Sequence, residues 1–438
     1  MKMPVHIENA LQRLKIEALN PMQEVALEAA SSNDQVVLLA PTGSGKTLGF
    51  LLPLLELLDP TVGEIQALII TPTRELALQI EQVFRGMGTA FKVNVTYGGH
   101  SIKIEKNNFS EPPALLIGTP GRIVDHLNRK HLDLSHVKTL VLDEFDKSLE
   151  MGFQEDMTAI IQRLNGIKKR MLVSATNLEV IPKFTGIDSP KTVNFLTTEN
   201  TQLTLHKIVS EDTEKLYSLV HLLCNLSAEP TLIFCNHRDT VERISEFMDS
   251  AEIENVYFHG GLEQDERERA LIKFRNGSSH YFVTTDLAAR GLDIPNIQHV
   301  IHYQLPHTED VFIHRNGRTA RQSASGNAYL VVSTKEQLPV YLDQKIPTLK
   351  LSEDESLPPA PKWKTIYFGG GKKDKINKVD VVGFLSKIGQ LKPDEIGLIT
   401  VLDHSCLVAV SAKKINQTLN QVRDAKIKGK KVKIGVAR

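Results

Sequence analysis

The chain of 438 residues is short of cysteine, of long apolar runs and of net charge, and each shortage closes off a class of function. Cys224, Cys235 and Cys406 are its only cysteines. Three scattered thiols make neither a disulfide framework nor a zinc site, so their expected role is that of small buried apolar residues. The apolar stretch Leu48–Leu58 is too short to cross a bilayer and is interrupted by Pro53 and Glu56. Met1–His6 has no apolar core of signal-peptide length. The expectation is a cytoplasmic protein in a reducing compartment, with no membrane partner. Formal net charge is zero, but the sum hides an asymmetry. Residues 361–438 hold 17 Lys/Arg against 6 Asp/Glu, a net of +11, whereas residues 1–360 hold 35 against 46, a net of −11. A small basic module behind a large acidic one points to a polyanion-binding tail; a lysine-rich solvated face is the alternative.

The length fits two or three domains at roughly 150 residues each. Short apolar runs alternate with helical stretches through the first two hundred residues. Val36–Ala40, Ala67–Ile70, Ala114–Ile117, Thr139–Leu142 and Met171–Val173 read as strands. Continuous apolar strands between helices argue for a parallel sheet covered on both faces. Residues 185–204 are polar and turn-rich and read as a linker. The alternation then restarts, with strands at Thr231–Phe234, Asn255–Phe258, Tyr281–Thr284, His299–His302 and Ala328–Val332, and helices over 213–226, 239–250 and 264–275. A second exposed segment, rich in Pro, Ser and acidic residues, runs to Pro361. The last unit reads β-α-β-β-α-β, a split βαβ sandwich. The domain expectation is therefore 1–195, 205–345, a linker over 346–361, and 362–438.

The chemistry is concentrated in short blocks. Ala40-Pro41-Thr42-Gly43-Ser44-Gly45-Lys46-Thr47 follows a strand and opens a helix. This is the phosphate-loop pattern with Ala40 at the first glycine position: backbone N–H groups of Thr42 to Gly45 cradle phosphates, Lys46 reaches the β/γ oxygens, and Thr47 holds Mg²⁺. Asp143 and Glu144 end another strand, where open α/β sheets bind ligands. Asp143 suits Mg²⁺, directly or through water, and Glu144 suits the attacking water. Together these describe a nucleoside triphosphatase. Asp146 and the turn Ser174-Ala175-Thr176 sit at neighbouring strand ends, for loop hydrogen bonding, for coupling, or for both. Arg315, Arg318 and Arg321 share one face if their segment is helical. They are candidates for the γ-phosphate from another domain, against the reading of a solvated basic helix.

In these blocks the chain resembles the DEAD-box ATP-dependent RNA helicases over residues 8–345. The resemblance rests on Gly43–Thr47, Pro72–Ala77, Gly98-Gly99, Thr119–Arg122, Asp143–Asp146, Ser174–Thr176, His259-Gly260, Gln264-x-x-Arg267, Thr285–Asp293 and His314–Arg321. It implies two tandem RecA-like parallel-sheet domains and RNA-stimulated, non-processive strand opening driven by ATP. By the same resemblance Pro21 and Gln23 belong to the adenine-reading motif, Asp293 contacts the ribose, and Arg318 and Arg321 meet the γ-phosphate. Arg290 couples nucleotide to RNA, and Ser174 and Thr176 join the catalytic set. RNA contacts fall to Arg74, Gly99, Thr119, Arg122, Arg267 and Thr285. Three departures stand out: no aromatic in Met1–Glu8 to stack on adenine, Phe145 for the family alanine, and Asn316 and Ala320 as altered spacers. Phe145 is read as altered packing.

The tail is similar to the C-terminal RNA-binding domain of the DbpA-type DEAD-box proteins, through Ile366–Ile376, Asp380–Gly383 and Lys426–Lys430. That resemblance implies a small RRM-like α+β domain, a hairpin of large-subunit ribosomal RNA as target, and pre-ribosomal particles as partners. Lys372, Lys373 and Lys375, with a second patch of Arg423, Lys426, Lys428 and Lys430, are the candidate RNA contacts. Tyr367 and Phe368 are either core residues or base-stacking platforms. The tail is expected to act as a tethered anchor that raises the core's local concentration near its RNA without adding to the core's own RNA contacts. A monomer is the default state. The rival to a helicase is a nucleotide-gated RNA clamp or chaperone with weak hydrolysis.

Overall fold

The computed structural model describes the chain except residues 1–3, 100, 179, 197–202, 212, 289–293, 295–296, 320–325, 344, 354–355 and 438. It divides near residue 200 into two compact units.

The first unit alternates strands with helices. Its strands are β1 (Gln35–Leu39), β2 (Ala67–Ile70), β3 (Val93–Thr96), β4 (Leu115–Gly118), β5 (Thr139–Leu142), β6 (Lys169–Ser174) and β7 (Lys191–Asn194). Its helices are α1 (Val5–Leu14), α2 (Pro21–Ser32), α3 (Lys46–Leu57), α4 (Arg74–Gly86), α5 (Ile102–Asn108), α6 (Pro120–Asn128), α7 (Phe145–Glu150) and α8 (Gln154–Ile161). Among the described residues the sheet order is β3-β4-β2-β5-β6-β1-β7, parallel throughout. Successive strand residues point to opposite faces. Val36 and Leu38 therefore enter one apolar layer, and Val37 and Leu39 the other. Both faces are thus dry, which is why the strands read as unbroken apolar runs.

β7 lies inside the stretch read as a linker. It pairs in parallel with β1 and closes the sheet edge. Only Val193 of its four residues is buried, so an edge strand with one inward side chain left no periodic signal.

In the second unit, β8 (Leu203–Ser210), β9 (Thr231–Phe234), β10 (Asn255–Phe258), β11 (Tyr281–Thr284), β12 (His299–His302) and β13 (Gly326–Ser333) form a parallel sheet ordered β10-β11-β9-β12-β13-β8. Its helices include α9 (Leu216–Asn225), α10 (Arg238–Ser250), α11 (Gln264–Arg275) and α12 (Glu309–Asn316). Residues 346–352 are held along this body: Lys207 N donates to Pro347 O and Leu349 N to Lys207 O, and Ser352 N donates to Asn225 Oδ1.

The same unit carries the basic tail. β14 (Trp363–Phe368), α13 (Lys378–Lys387), β15 (Ile396–Val401), β16 (Cys406–Ser411), α14 (Ile415–Val422), the short pair β17 (Lys426–Ile427) and β18 (Lys430–Lys431), and β19 (Ile434–Val436) follow in order. The four-stranded antiparallel sheet runs β15-β16-β14-β19. Ile366, Phe368, Cys406, Val408 and Val410 face the helices and form the tail's own core. The alternate residues Tyr367 and Leu407 face the other way and pack with Ile272 of α11. Thr365 Oγ1 accepts from Asn276 Nδ2 at 2.9 Å and donates to Ser278 Oγ at 2.8 Å, and Lys364 pairs with Glu254. The tail is therefore seated on α11. Tyr367 is committed to this seat and Phe368 to the tail core, where it meets Phe384 edge-on at 6.0 Å. Neither is an open stacking platform.

Candidate functional site

The phosphate loop leaves β1 and enters α3 through two glycines in the left-handed region, Gly43 at φ 87° and Gly45 at φ 85°. Glycine adopts that geometry without steric cost. At Gly45 a side chain is excluded twice, since a Cβ would lie 2.5 Å from Gln23 Nε2. Lys46 donates to the loop carbonyls of Ala40 at 2.6 Å and Pro41 at 2.9 Å. Thr42, Ser44 and Thr47 lie half-buried beside it.

Pro21 opens α2 at its first position, and Asn20 caps it. Asn20 Oδ1 accepts from Gln23 N and Gln23 Oε1 accepts from Asn20 N, a reciprocal capping box. The remaining amide groups cross to the phosphate loop: Asn20 Nδ2 donates to Ser44 O at 2.8 Å and Gln23 Nε2 to Gly45 O at 3.1 Å. Gln23, the candidate adenine reader, is thus also a brace of the loop. Asn20 was missed in the sequence, although Asn20-Pro21-x-Gln23 is itself a helix-start signature.

Asp143 ends β5 and Glu144 turns the chain into α7, both buried. Glu144 sits at φ 44°, ψ 51°, an uncommon conformation for a residue with a side chain. Asp143 Oδ1 accepts from Glu144 N at 2.9 Å. Burial, then the neighbouring Glu144 charge, push the Asp143 carboxyl up to about 7, and Lys46 pulls against them. Two crowded carboxyls beside a lysine and a helix N-terminus form a centre short of positive charge. The Thr47 hydroxyl and the Asp143 carboxylate are hard oxygen donors, which fits Mg²⁺ held largely through phosphate and water. Among the described residues no group of three His, Cys, Asp or Glu side chains could hold a metal alone. Phe145 points away into the apolar layer, fully buried and 6.1 Å from the Phe184 ring.

The chemistry is wired to the next strand. Ser174 Oγ donates to Thr176 O at 2.8 Å and accepts from Thr176 N at 3.1 Å. Thr176 Oγ1 donates to Asp146 Oδ2 at 2.8 Å. Local turn bonding and a link between the two motifs coexist.

Among the candidate RNA contacts of the first unit, Gly99 sits at φ 93°, and a Cβ there would lie 2.9 Å from Arg74 Nη1. Thr119 caps α6 through its backbone, and Arg122, one turn on, donates from Nε to Glu105 at 2.8 Å. In the second unit, Arg267 is buried, donates to Gln264 Oε1 and lies 5.7 Å from the Phe258 ring centre. Thr285 is half-buried at the end of β11.

The arginine block departs from expectation. α12 ends at Asn316, so Arg315 and Arg318 do not share a helical face. Arg315 is fully buried, bonded to Asp286 Oδ1 at 2.5 Å, Gln304 O at 2.7 Å and Asn236 Oδ1 at 2.7 Å. It braces the second unit from within. Arg318 lies past the helix end, buried. Arg321, Asp293 and Arg290 lie outside the described residues.

In the tail, Lys372, Lys373 and Lys375 are exposed on one turn. β17 and β18 are joined by Lys428 at φ 50° and Gly429 at φ 78°, the two-residue hairpin geometry. Lys428 Nζ donates to Lys375 O at 2.8 Å, and Lys430 Nζ to Asp374 O at 3.3 Å. The two lysine patches that are separate in sequence thus form one surface. Lys426 and Arg423 are exposed near it in sequence.

Comparison with known proteins agrees with this arrangement. Residues 20–182 match the DEAD/DEAH box helicase family, 214–323 the helicase conserved C-terminal domain, and 365–436 the DbpA RNA binding domain. The chain is 32% identical to the ATP-dependent RNA helicase DbpA of Bacillus subtilis, covering 98% of this chain and 97% of that one. It is 30% identical to the Escherichia coli protein of the same name, again over 98% and 97%. Among solved structures, S. cerevisiae Dbp5 bound to RNA and ADP BeF3 superposes with a TM-score of 0.69 at 26% identity, covering 76% of this chain and 88% of that one.

Proposed function

Because the chain belongs to the DEAD/DEAH box family of ATP-dependent RNA helicases, with a DbpA RNA-binding domain at its end, we propose that it opens short duplexes within structured large-subunit ribosomal RNA. Subunit assembly or rRNA remodelling is the setting, and pre-ribosomal particles are the partners. The observation that carries this is the single lysine surface of Lys372, Lys373, Lys375, Lys428 and Lys430, in a chain that also carries the triphosphatase motifs. Backbone contacts of the core read no sequence, so the target must be chosen elsewhere.

The residues divide the work as follows. Backbone N–H groups of the 42–45 loop and the start of α3 hold phosphates, and Lys46 leaves the Ala40 and Pro41 carbonyls to compensate their charge. Gln23 reads adenine while bracing Gly45. Glu144 orients the attacking water and takes its proton. Thr47 and Asp143 would hold Mg²⁺, which offsets charge on the β- and γ-phosphates. Arg318 and Arg321 meet the γ-phosphate and Asp293 the ribose, with Arg290 as the coupling residue. Ser174 and Thr176 report the state of the Asp146 motif to the rest of the unit. Arg74, Gly99, Thr119, Arg122, Arg267 and Thr285 hold the RNA backbone. Lys426 and Arg423 extend the tail surface.

We divide these tasks among residues 1–195, 205–345 and 362–438, with 346–361 as the connection. A cytoplasmic monomer is the simplest setting. No described helix is long and apolar enough to cross a membrane. The test is crosslinking of bound RNA in cells, followed by ATPase stimulation with the recovered fragment against an unrelated hairpin at matched salt. Equal stimulation by both would remove the ribosomal reading and leave a general RNA chaperone.

A further inference from the structure

Glu105 on α5 is 2% exposed, and its carboxylate is ringed by donors. Thr96 Oγ1 lies at 2.9 Å, Tyr97 N at 3.4 Å, Arg122 Nε at 2.8 Å and His126 Nε2 at 2.6 Å. A carboxylate accepts only, so His126 presents Nε2–H to it. His126 Nδ1 is in turn 3.2 Å from His131 Nδ1. The Phe109 ring closes over His126 edge-on at 5.1 Å.

One buried carboxylate thereby ties three segments together: the end of β3 that leads into Gly98-Gly99, helix α5, and helix α6 with Thr119 and Arg122. Between them the two outer segments carry Gly99, Thr119 and Arg122, three of the four candidate RNA contacts of this unit. A buried ionic cluster contributes little stability beyond well-packed apolar residues. What such a cluster does supply is geometry, because four directed hydrogen bonds fix the parts relative to one another. Anchoring Arg122 by Nε sets the direction of its Nη fork, the edge that matches a phosphate.

We propose that Glu105 and His126 are positioning residues for RNA binding, holding Arg122 and the 96–99 turn in the geometry that grips the RNA backbone. The inference rests on the reading of Arg122 as an RNA contact. It also predicts a sign. Glu105 places a negative charge beside Arg122, so by charge alone its removal would tighten the grip on a polyanion. Positioning predicts the reverse.

The test is RNA-stimulated ATPase of the full chain, with RNA titrated at several salt concentrations, for Glu105→Ala, Glu105→Gln, His126→Leu, Arg122→Ala and the Glu105→Ala/Arg122→Ala double variant. Glu105→Ala should raise the RNA concentration for half-stimulation about tenfold, the worth of one bond to a charged group. Its kcat at saturating RNA and its KM for ATP should not change. Glu105→Gln keeps one accepting oxygen and should weaken RNA binding only about two- to threefold. His126→Leu should fall between the two. The double variant should be no worse than Arg122→Ala, and the slope of log affinity against log salt should drop by about one phosphate contact in both single alanine variants. Tighter or unchanged RNA dependence in Glu105→Ala, or additive losses in the double variant, would overturn the proposal. If Glu105→Ala does not fold, Glu105→Gln and His126→Leu carry the test, and an unchanged RNA titration in both would overturn it. No effect of Arg122→Ala would overturn the reading of Arg122 and the inference with it.

Discussion

Replacing Glu144 with Gln should exchange turnover for stability, and the structure sets the size of both effects. The amide keeps the shape of the side chain but cannot accept the proton of the attacking water, so turnover should fall by about 10²–10⁴. The stability effect comes from Asp143, held up to about 7 against an ordinary 3.8 by burial first and by Glu144 second. An acid raised that far costs the folded state about 4 kcal/mol once it is ionised. Glu144 is the second of the raising causes, so removing its charge lowers the folded value of Asp143 and relieves part of that cost. The sign follows from linkage. A group whose folded value is raised gives stability that is fully present below the unfolded value and is lost as pH rises through the folded one. The variant should therefore match the wild type near pH 5 and be the more stable of the two at pH 8, with the gap opening between. Urea unfolding of the nucleotide-free chain, followed by far-ultraviolet circular dichroism, measures this. Trp363, the sole tryptophan, stands in the second unit, so its fluorescence serves as an internal control that should not move. A variant less stable than the wild type at pH 8, or one whose turnover stays within about threefold of it, would refute the assignment of Glu144.

Lys46→Ala should lose nucleotide affinity itself, since the ammonium offsets phosphate charge before any reaction; an unchanged fluorescent-nucleotide titration would contradict the phosphate-loop assignment. Arg318→Ala should spare ADP affinity and lower RNA-stimulated turnover, because its guanidinium is assigned to the γ-phosphate alone; a loss of ADP binding as large as that of Lys46→Ala would argue otherwise. Lys428→Ala with Lys430→Ala should raise the concentration of structured RNA needed for stimulation without changing the saturated rate. An unaltered titration would show that the tail lysines form a solvated face.

The short contiguous blocks were legible in the sequence because each places its chemistry within a few residues of a strand end. Gly43–Thr47, Asp143-Glu144 and Ser174–Thr176 need only a strand followed by a turn to be in register, and the apolar strands announced themselves. Whatever depended on long-range partners was not legible. Arg315 looked like Arg318, and only the fold shows that Asp286 and Asn236 draw it inward. Glu105 carries no local signal, since its four donors come from residues 96, 97, 122 and 126. β7 was hidden by its polarity. The seat of the tail on α11 was hidden for a different reason: Tyr367 and Leu407 alternate with core residues as any sheet residue does, and the strand pattern does not say what covers the second face.

That seat limits how far the tail can be treated as an interchangeable part. Chimeras that exchange C-terminal modules between relatives assume a junction in the connecting segment and nothing else. Here the recipient must also offer an apolar Ile272, an amide at Asn276 and a hydroxyl at Ser278 to the incoming sheet. A donor module grafted without them would leave the hydroxyl of Thr365 and the rings of its outer sheet face in water. Such a graft would inherit the donor's taste in RNA but not the angle at which that RNA is presented. Transplanting those three side chains of the α11 region together with the module is the minimal exchange that carries both.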